Sequence, residues 1–78
     1  MKELIEYIST SLVDDPTQVS VSQARHGSQV TLQLQVAKED MGRVIGRSGR
    51  VAAAMRALLR VAAAQEGKRA ALDIVEPE

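Results

Sequence analysis

The chain has 78 residues, no cysteine, a single histidine, and ten basic against ten acidic side chains. That length gives room for one small domain with about 3–5 kcal/mol of net stability from its core. The absent cysteines and lone His26 exclude disulfide stapling and a zinc site built from several Cys or His ligands.

The opening stretch, MKELIEYISTSL, places Met1, Leu4, Ile5, Ile8 and Leu12 at helical spacing on one apolar stripe, with Tyr7 off it. Glu3 and Glu6 interrupt the apolar run that a signal peptide would need. No stretch approaches the roughly 18 apolar residues of a membrane span. A soluble, cytosolic protein is expected, and the lack of cysteine suits a reducing compartment. Asp14, Asp15 and Pro16 then stop the helix, because the residue before a proline avoids helical geometry.

The period changes to two in QVSVSQ and again in QVTLQLQVA. Val19 and Val21 alternate with polar residues. Val30, Leu32, Leu34 and Val36 share one face, opposite Thr31, Gln33 and Gln35. These are half-buried strands, joined by a hairpin turn at Gly27, with His26 as a turn residue. Glu39 and Asp40 read as a helix start, Asp40 as the cap of a short helix at about 41–45. A longer helix is expected from about Arg50 to Glu66, burying Val51, Met55, Leu58, Leu59 and Ala62 and stopped by Gly67. Arg56 and Arg60 lie together on another of its faces. RAALDIV forms a last strand, with Leu72 and Ile74 facing alike and Pro77 limiting its continuation. Three strands cannot bury a face alone. The expected architecture is an α+β two-layer sandwich, three strands covered on one side by helices, in the order α-β-β-α-α-β.

Between the two later helices lies VIGRSGR, residues 44–50. Glycine there lets the chain take positive φ and lets another backbone come close. The helix that begins after Gly49 turns unpaired amides and its positive dipole end toward the break. A phosphate is a natural guest at such an end. Charge is distributed to match: residues 1–15 carry one lysine against four acids, whereas residues 41–60 carry five arginines and no acid. A neutral chain with one basic segment points to a local anion site, set against the plainer alternative of arginines on a solvated helix corner. A GxxxxGK[ST] phosphate loop does not fit. Only three residues separate Gly42 from Gly46, and Arg47 stands where lysine is needed. A dinucleotide-binding GxGxxG is absent.

VIGRSG matches the Ile-Gly-x-x-Gly signature of KH domains, and the element order matches their type II variant. ELIEYI at the start, DMGRVIGRSGRVAAAMRALLRVAA later and the length make the whole chain resemble the KhpA family of bacterial single-KH RNA-binding proteins. The resemblance implies a single KH domain over residues 1–78. It implies single-stranded RNA clamped by its backbone at Gly46, Arg47, Ser48 and Gly49, with Arg43 and Arg50 adding charge. Val44 and Ile45 would help floor the bases. The strand carrying Val30, Leu32, Leu34 and Val36 would lie behind or beside them, most of its residues in the core. The family's role would be that of a global RNA-binding protein or RNA chaperone. Its partners would be a second copy, as a homodimer, or a second KH protein of the KhpB or Jag type. No cofactor or metal is implied.

With Tyr7 the only aromatic residue, stacking on aromatic platforms cannot dominate, which also argues against an RRM. An alternative remains: a dimerisation or scaffolding module, in which alanine-rich faces with Ala53, Ala57 and Ala64 pack on a partner and RNA is secondary. An enzyme is not expected, because one turn histidine offers no Ser/His/Asp arrangement and both adjacent acid pairs read as helix punctuation.

Overall fold

The computed structural model describes residues 1–77. Helix α1 spans Lys2–Leu12, strands β1 and β2 span Ser20–His26 and Gln29–Gln35, helices α2 and α3 span Met41–Ile45 and Arg50–Gln65, and strand β3 spans Arg69–Val75. Short 3-10 turns cover Pro16–Gln18, Lys38–Asp40 and Arg47–Gly49. This is the α+β order expected of a type II KH arrangement. No helix among the described residues is long and apolar enough to cross a membrane.

The sheet order is β1-β2-β3, with β1 antiparallel and β3 parallel to the central β2. The hairpin turn is only Gly27-Ser28. Gly27 has φ +61, and Ser28 is not left-handed. Glycine leading a two-residue loop suits the primed turn that matches strand twist. His26 pairs with Gln29 as the last residue of β1 and is exposed.

Alternation decides which face is buried. Val30, Leu32 and Leu34 of β2 have no exposed surface, Val36 beyond it has 1 %, and Val21 and Leu72 join them from the neighbouring strands. All four apolar residues in this run are therefore core, and none is left for a groove. The opposite face carries rows such as Ser22–Gln33–Asp73, which no helix covers. From the helical layer, Ile5, Val44, Met55 and Leu59 complete the cluster.

Two helix stripes differ from expectation. On α1 the buried residues are Ile5 and Ser9, whereas Leu12 is partly exposed. On α3 the buried stripe is Ala52, Met55, Leu59 and Ala63, with Val51 and Ala62 only partly covered and Leu58 52 % exposed. The reason is that α3 has apolar residues on two faces, so hydrophobicity alone does not orient it. Alanines at 52 and 63 let the helix approach the sheet closely, and the larger Leu58 is turned outward. The helix ends as predicted at glycine: Gly67 has φ +68, its N–H donates to Ala64 O, and Lys68 N–H donates to Ala63 O. This pair of bonds is a Schellman closure.

The adjacent leucines give a direct check of this register. Leu59→Ala should cost about 2–5 kcal/mol in urea unfolding. Leu58→Ala should stay within about 0.5 kcal/mol when measured at the same protein concentration.

Candidate nucleic-acid interface

Helix α2 is one and a half turns long and stops at Gly46, whose N–H donates to Gly42 O at 2.8 Å. Gly46 has φ 76 and ψ 171. That region is essentially restricted to glycine. A Cβ there would press into the Val51 side chain and lie 2.9 Å from the Val51 backbone nitrogen. The corner is therefore tight because the first turn of α3 packs directly on this residue. Ser48 (φ 56, ψ 25) and Gly49 (φ 74, ψ 16) are both left-handed, which reverses the chain before α3 begins.

The amides of this corner divide into two sets. Gly49 N–H donates to Gly46 O at 3.1 Å, and Arg50 N–H donates to Arg47 O. Those two donors, which would otherwise be free at the helix start, are satisfied inside the 3-10 turn. Among the described residues the amides of Arg47 and Ser48 have no backbone acceptor. Arg47, Ser48 and Arg50 are exposed, and among the described residues no carboxylate lies within ion-pair distance of either arginine. Unpaired amides, a hydroxyl and two unneutralised guanidinium groups thus share one short exposed segment.

Two residues expected at this site are placed otherwise. Val44 is fully buried in the core cluster, so it cannot floor a groove. Its neighbour Ile45 is 37 % exposed and remains beside the corner. Helical geometry separates consecutive residues by about 100°, so Val44 and Ile45 point in different directions, the first into the core. Arg43 is half-exposed, but its guanidinium is engaged. One terminal nitrogen donates to Asp14 Oδ2 at 2.9 Å, and Nε lies 3.3 Å from Asp40 Oδ1.

Asp40 itself makes no capping bond to its own helix. Asp40 is only 2 % exposed, and its carboxylate accepts from the backbone N–H groups of Asp14 and Asp15, each at 3.1 Å. These partners are 25 and 26 residues away, so the local pattern that suggested a cap could not reveal them. Asp15 caps the Pro16–Gln18 turn by accepting from Thr17 N–H.

The surface between α3 and β3 was missed by sequence reasoning. Two adjoining shallow depressions, of about 160 and 370 Å³, follow this seam. Arg56, Leu59, Arg60, Ala70, Ala71 and Leu72 line the first, and Gln29, Arg60, Lys68, Arg69 and Ala70 line the second. Arg56 Nε donates to Leu72 O at 3.2 Å, which covers one carbonyl on the otherwise open edge of β3. Among the described residues no carboxylate lines either depression. The available signal was the i, i+4 pair Arg56 and Arg60 together with Lys68 and Arg69, but only the parallel β2–β3 pairing brings the two sets to one seam.

A family model described as "KhpA/KhpB, KH domain" matches residues 2–74. The chain belongs to the KhpA/KhpB KH-domain family. Three curated relatives are each named "RNA-binding protein KhpA". That of Clostridium acetobutylicum is 47 % identical over 96 % of this chain and 100 % of the relative. That of Treponema pallidum is 45 % identical over 96 % and 94 %. That of Listeria monocytogenes is 42 % identical over 97 % and 100 %. No solved structure matches the chain. The KhpA/KhpB family model spans every element from α1 through most of β3, so the glycine corner and the α3–β3 seam both lie inside the matched region.

The corner's backbone predicts an ordered glycine series. Gly46→Ala must move Val51 and should destabilise most. Gly49→Ala meets no neighbouring atom but carries the left-handed penalty of about 1–2 kcal/mol. Gly49→Asn should cost least, since asparagine tolerates that conformation. Urea midpoints of the three variants check the order.

Proposed function

We propose that the chain is an RNA-binding protein that holds single-stranded RNA by its backbone across Gly46–Gly49, with no catalysis. One observation carries this reading: the Arg47 and Ser48 amides, without backbone acceptors among the described residues, lie between positive-φ glycines, beside two arginines that have no carboxylate partner among those residues. The names of the relatives make RNA the anion of choice. A KH module clamps about four backbone nucleotides in this manner. From the corner, the strand would follow α3 toward the depressions beside β3, where Arg60, Lys68 and Arg69 continue the positive track. Ala70 and Ala71 line the same seam and offer apolar contact, with the core residues Leu59 and Leu72 behind them. Tyr7 is 74 % exposed on α1, outside both depressions, so aromatic stacking has no part in the arrangement.

Contact with few phosphates makes binding modest and salt-sensitive, each phosphate contributing about −0.7 to the log–log salt slope. Paired changes Arg47→Asp and Ser48→Asp place two carboxylates at the corner without touching the core. The folded double variant should lose crosslinking to cellular RNA. Unchanged crosslinking would remove the corner as the site.

A module of modest affinity gains by acting in pairs. The outer face of α3 supports this part of the reading: Ala54, Ala57, Leu58, Val61 and Ala64 are exposed at helical spacing, and Leu58 and Val61 are 52 and 60 % exposed. This stripe would join a second copy, or a second KH protein of the KhpB or Jag type, to form a two-module RNA-binding protein or RNA chaperone of the cytoplasm. It equally supports the reading in which assembly is primary and RNA secondary. Mass in solution separates the two roles. Leu58→Glu should give a monomer that still binds RNA weakly, whereas partner binding that survives both high salt and the corner substitutions would favour the assembly role.

A further inference from the structure

We propose that Arg43 is a positioning residue and not a phosphate ligand: with Asp40 and Asp14 it forms a strut that sets the glycine corner. This inference rests on the reading that RNA is held at Gly46–Gly49, but the strut has a signature of its own.

Asp40 occupies the junction between the Lys38–Asp40 turn and α2, and its buried carboxylate holds the amides of Asp14 and Asp15. Those residues belong to the connection between α1 and β1. Arg43, one turn along α2, reaches back to the same carboxylate and donates to the Asp14 side chain as well. Asp14 is thus gripped twice, by its backbone N–H and by its carboxylate. The result is a closed ring of three side chains and one backbone segment. Both ends of the five-residue α2 are then fixed: the first by this ring, the last by Gly46 N–H on Gly42 O and by the contact of Gly46 with Val51. A helix this short has few internal bonds to hold its direction. The ring supplies a tertiary restraint. Arg43 is also the one arginine in the 43–50 segment with carboxylate partners among the described residues, and two of them surround it. Bound phosphate would have to displace Asp14 and leave a second carboxylate, Asp40, beside it.

The sign of an electrostatic effect separates the two roles. Asp14→Asn removes a negative charge beside an anion site. If Arg43 held phosphate, freeing it would raise RNA affinity. A strut predicts the opposite, a loss of about two- to five-fold, the scale of an exposed ion pair. Asp14 is largely exposed, so this variant should fold. The measurement is titration of labelled single-stranded poly(U) at several salt concentrations, with wild type, Asp14→Asn, Arg43→Gln, the double variant and Arg47→Asp/Ser48→Asp. Amide spectra of each free protein accompany it. Expected are shifted Gly46 and Gly49 amides in Asp14→Asn, an affinity loss in both single variants that is larger in Arg43→Gln because it also gives up Asp40, no loss in the double variant beyond that of Arg43→Gln, and an unchanged salt slope. Unmoved Gly46 and Gly49 amides in Asp14→Asn would overturn the strut without reference to RNA. So would higher RNA affinity in that variant, or a slope reduced by about 0.7 in Arg43→Gln. Normal binding by Arg47→Asp/Ser48→Asp would instead refute the corner as the RNA site, leaving the strut to be judged on the amide shifts.

Discussion

The corner between α2 and α3 depends on the absence of one carbon atom. Gly46 lies so close to Val51 that no β-carbon fits, and its backbone angles are ones that other residues avoid. This allows α2 and α3 to meet with only four residues between them. The same turn satisfies the amides of Gly49 and Arg50 internally and leaves those of Arg47 and Ser48 without backbone partners among the described residues. A packing constraint and a pair of exposed amides without backbone partners among the described residues are therefore consequences of one close contact. Loosening the corner would not simply enlarge the site. It would redistribute the donors that define it.

Much of the fold was legible in the sequence because its signals are local. Strict alternation gave β2 its buried face, and Gly27, Gly67 and the Asp15-Pro16 pair punctuated the chain where their backbone preferences require. What remained hidden was tertiary. Asp40 read as a cap because acids favour helix starts. Its partners lie across the fold, and a carboxylate cannot announce which distant amides it will meet. The register of α3 was illegible for a different reason: alanine is equally at home inside and outside, so a helix with alanine on several faces offers no sharp stripe. Of the site, the glycine corner could be read from spacing. The seam beside β3 could not, since it joins residues that only sheet pairing brings together.

The charge pattern gains meaning from these placements. The acidic start and the basic middle of the chain are not two independent regions. Asp14 and Asp40 take up Arg43, so the segment's apparent surplus of five arginines overstates what faces solvent unopposed. Arg56 is partly engaged as well, holding a carbonyl on the edge of β3. Arg47, Arg50 and Arg60 remain without carboxylate partners among the described residues. Neutral overall composition is thus compatible with a concentrated positive track, because some cations serve the architecture and the others face solvent without carboxylate partners among the described residues.

The parallel alignment of β3 with β2 has a kinetic meaning. The β1–β2 hairpin closes over two residues, whereas Gln29 meets Arg69 only after about forty residues have been traversed. Loop-closure entropy makes the second pairing the slower one. Both helices flanking the corner lie within that long excursion. A growing polypeptide can therefore complete its hairpin early, while the basic seam exists only after the final strand has emerged and docked, so maturation of the sheet and readiness of that surface arrive together.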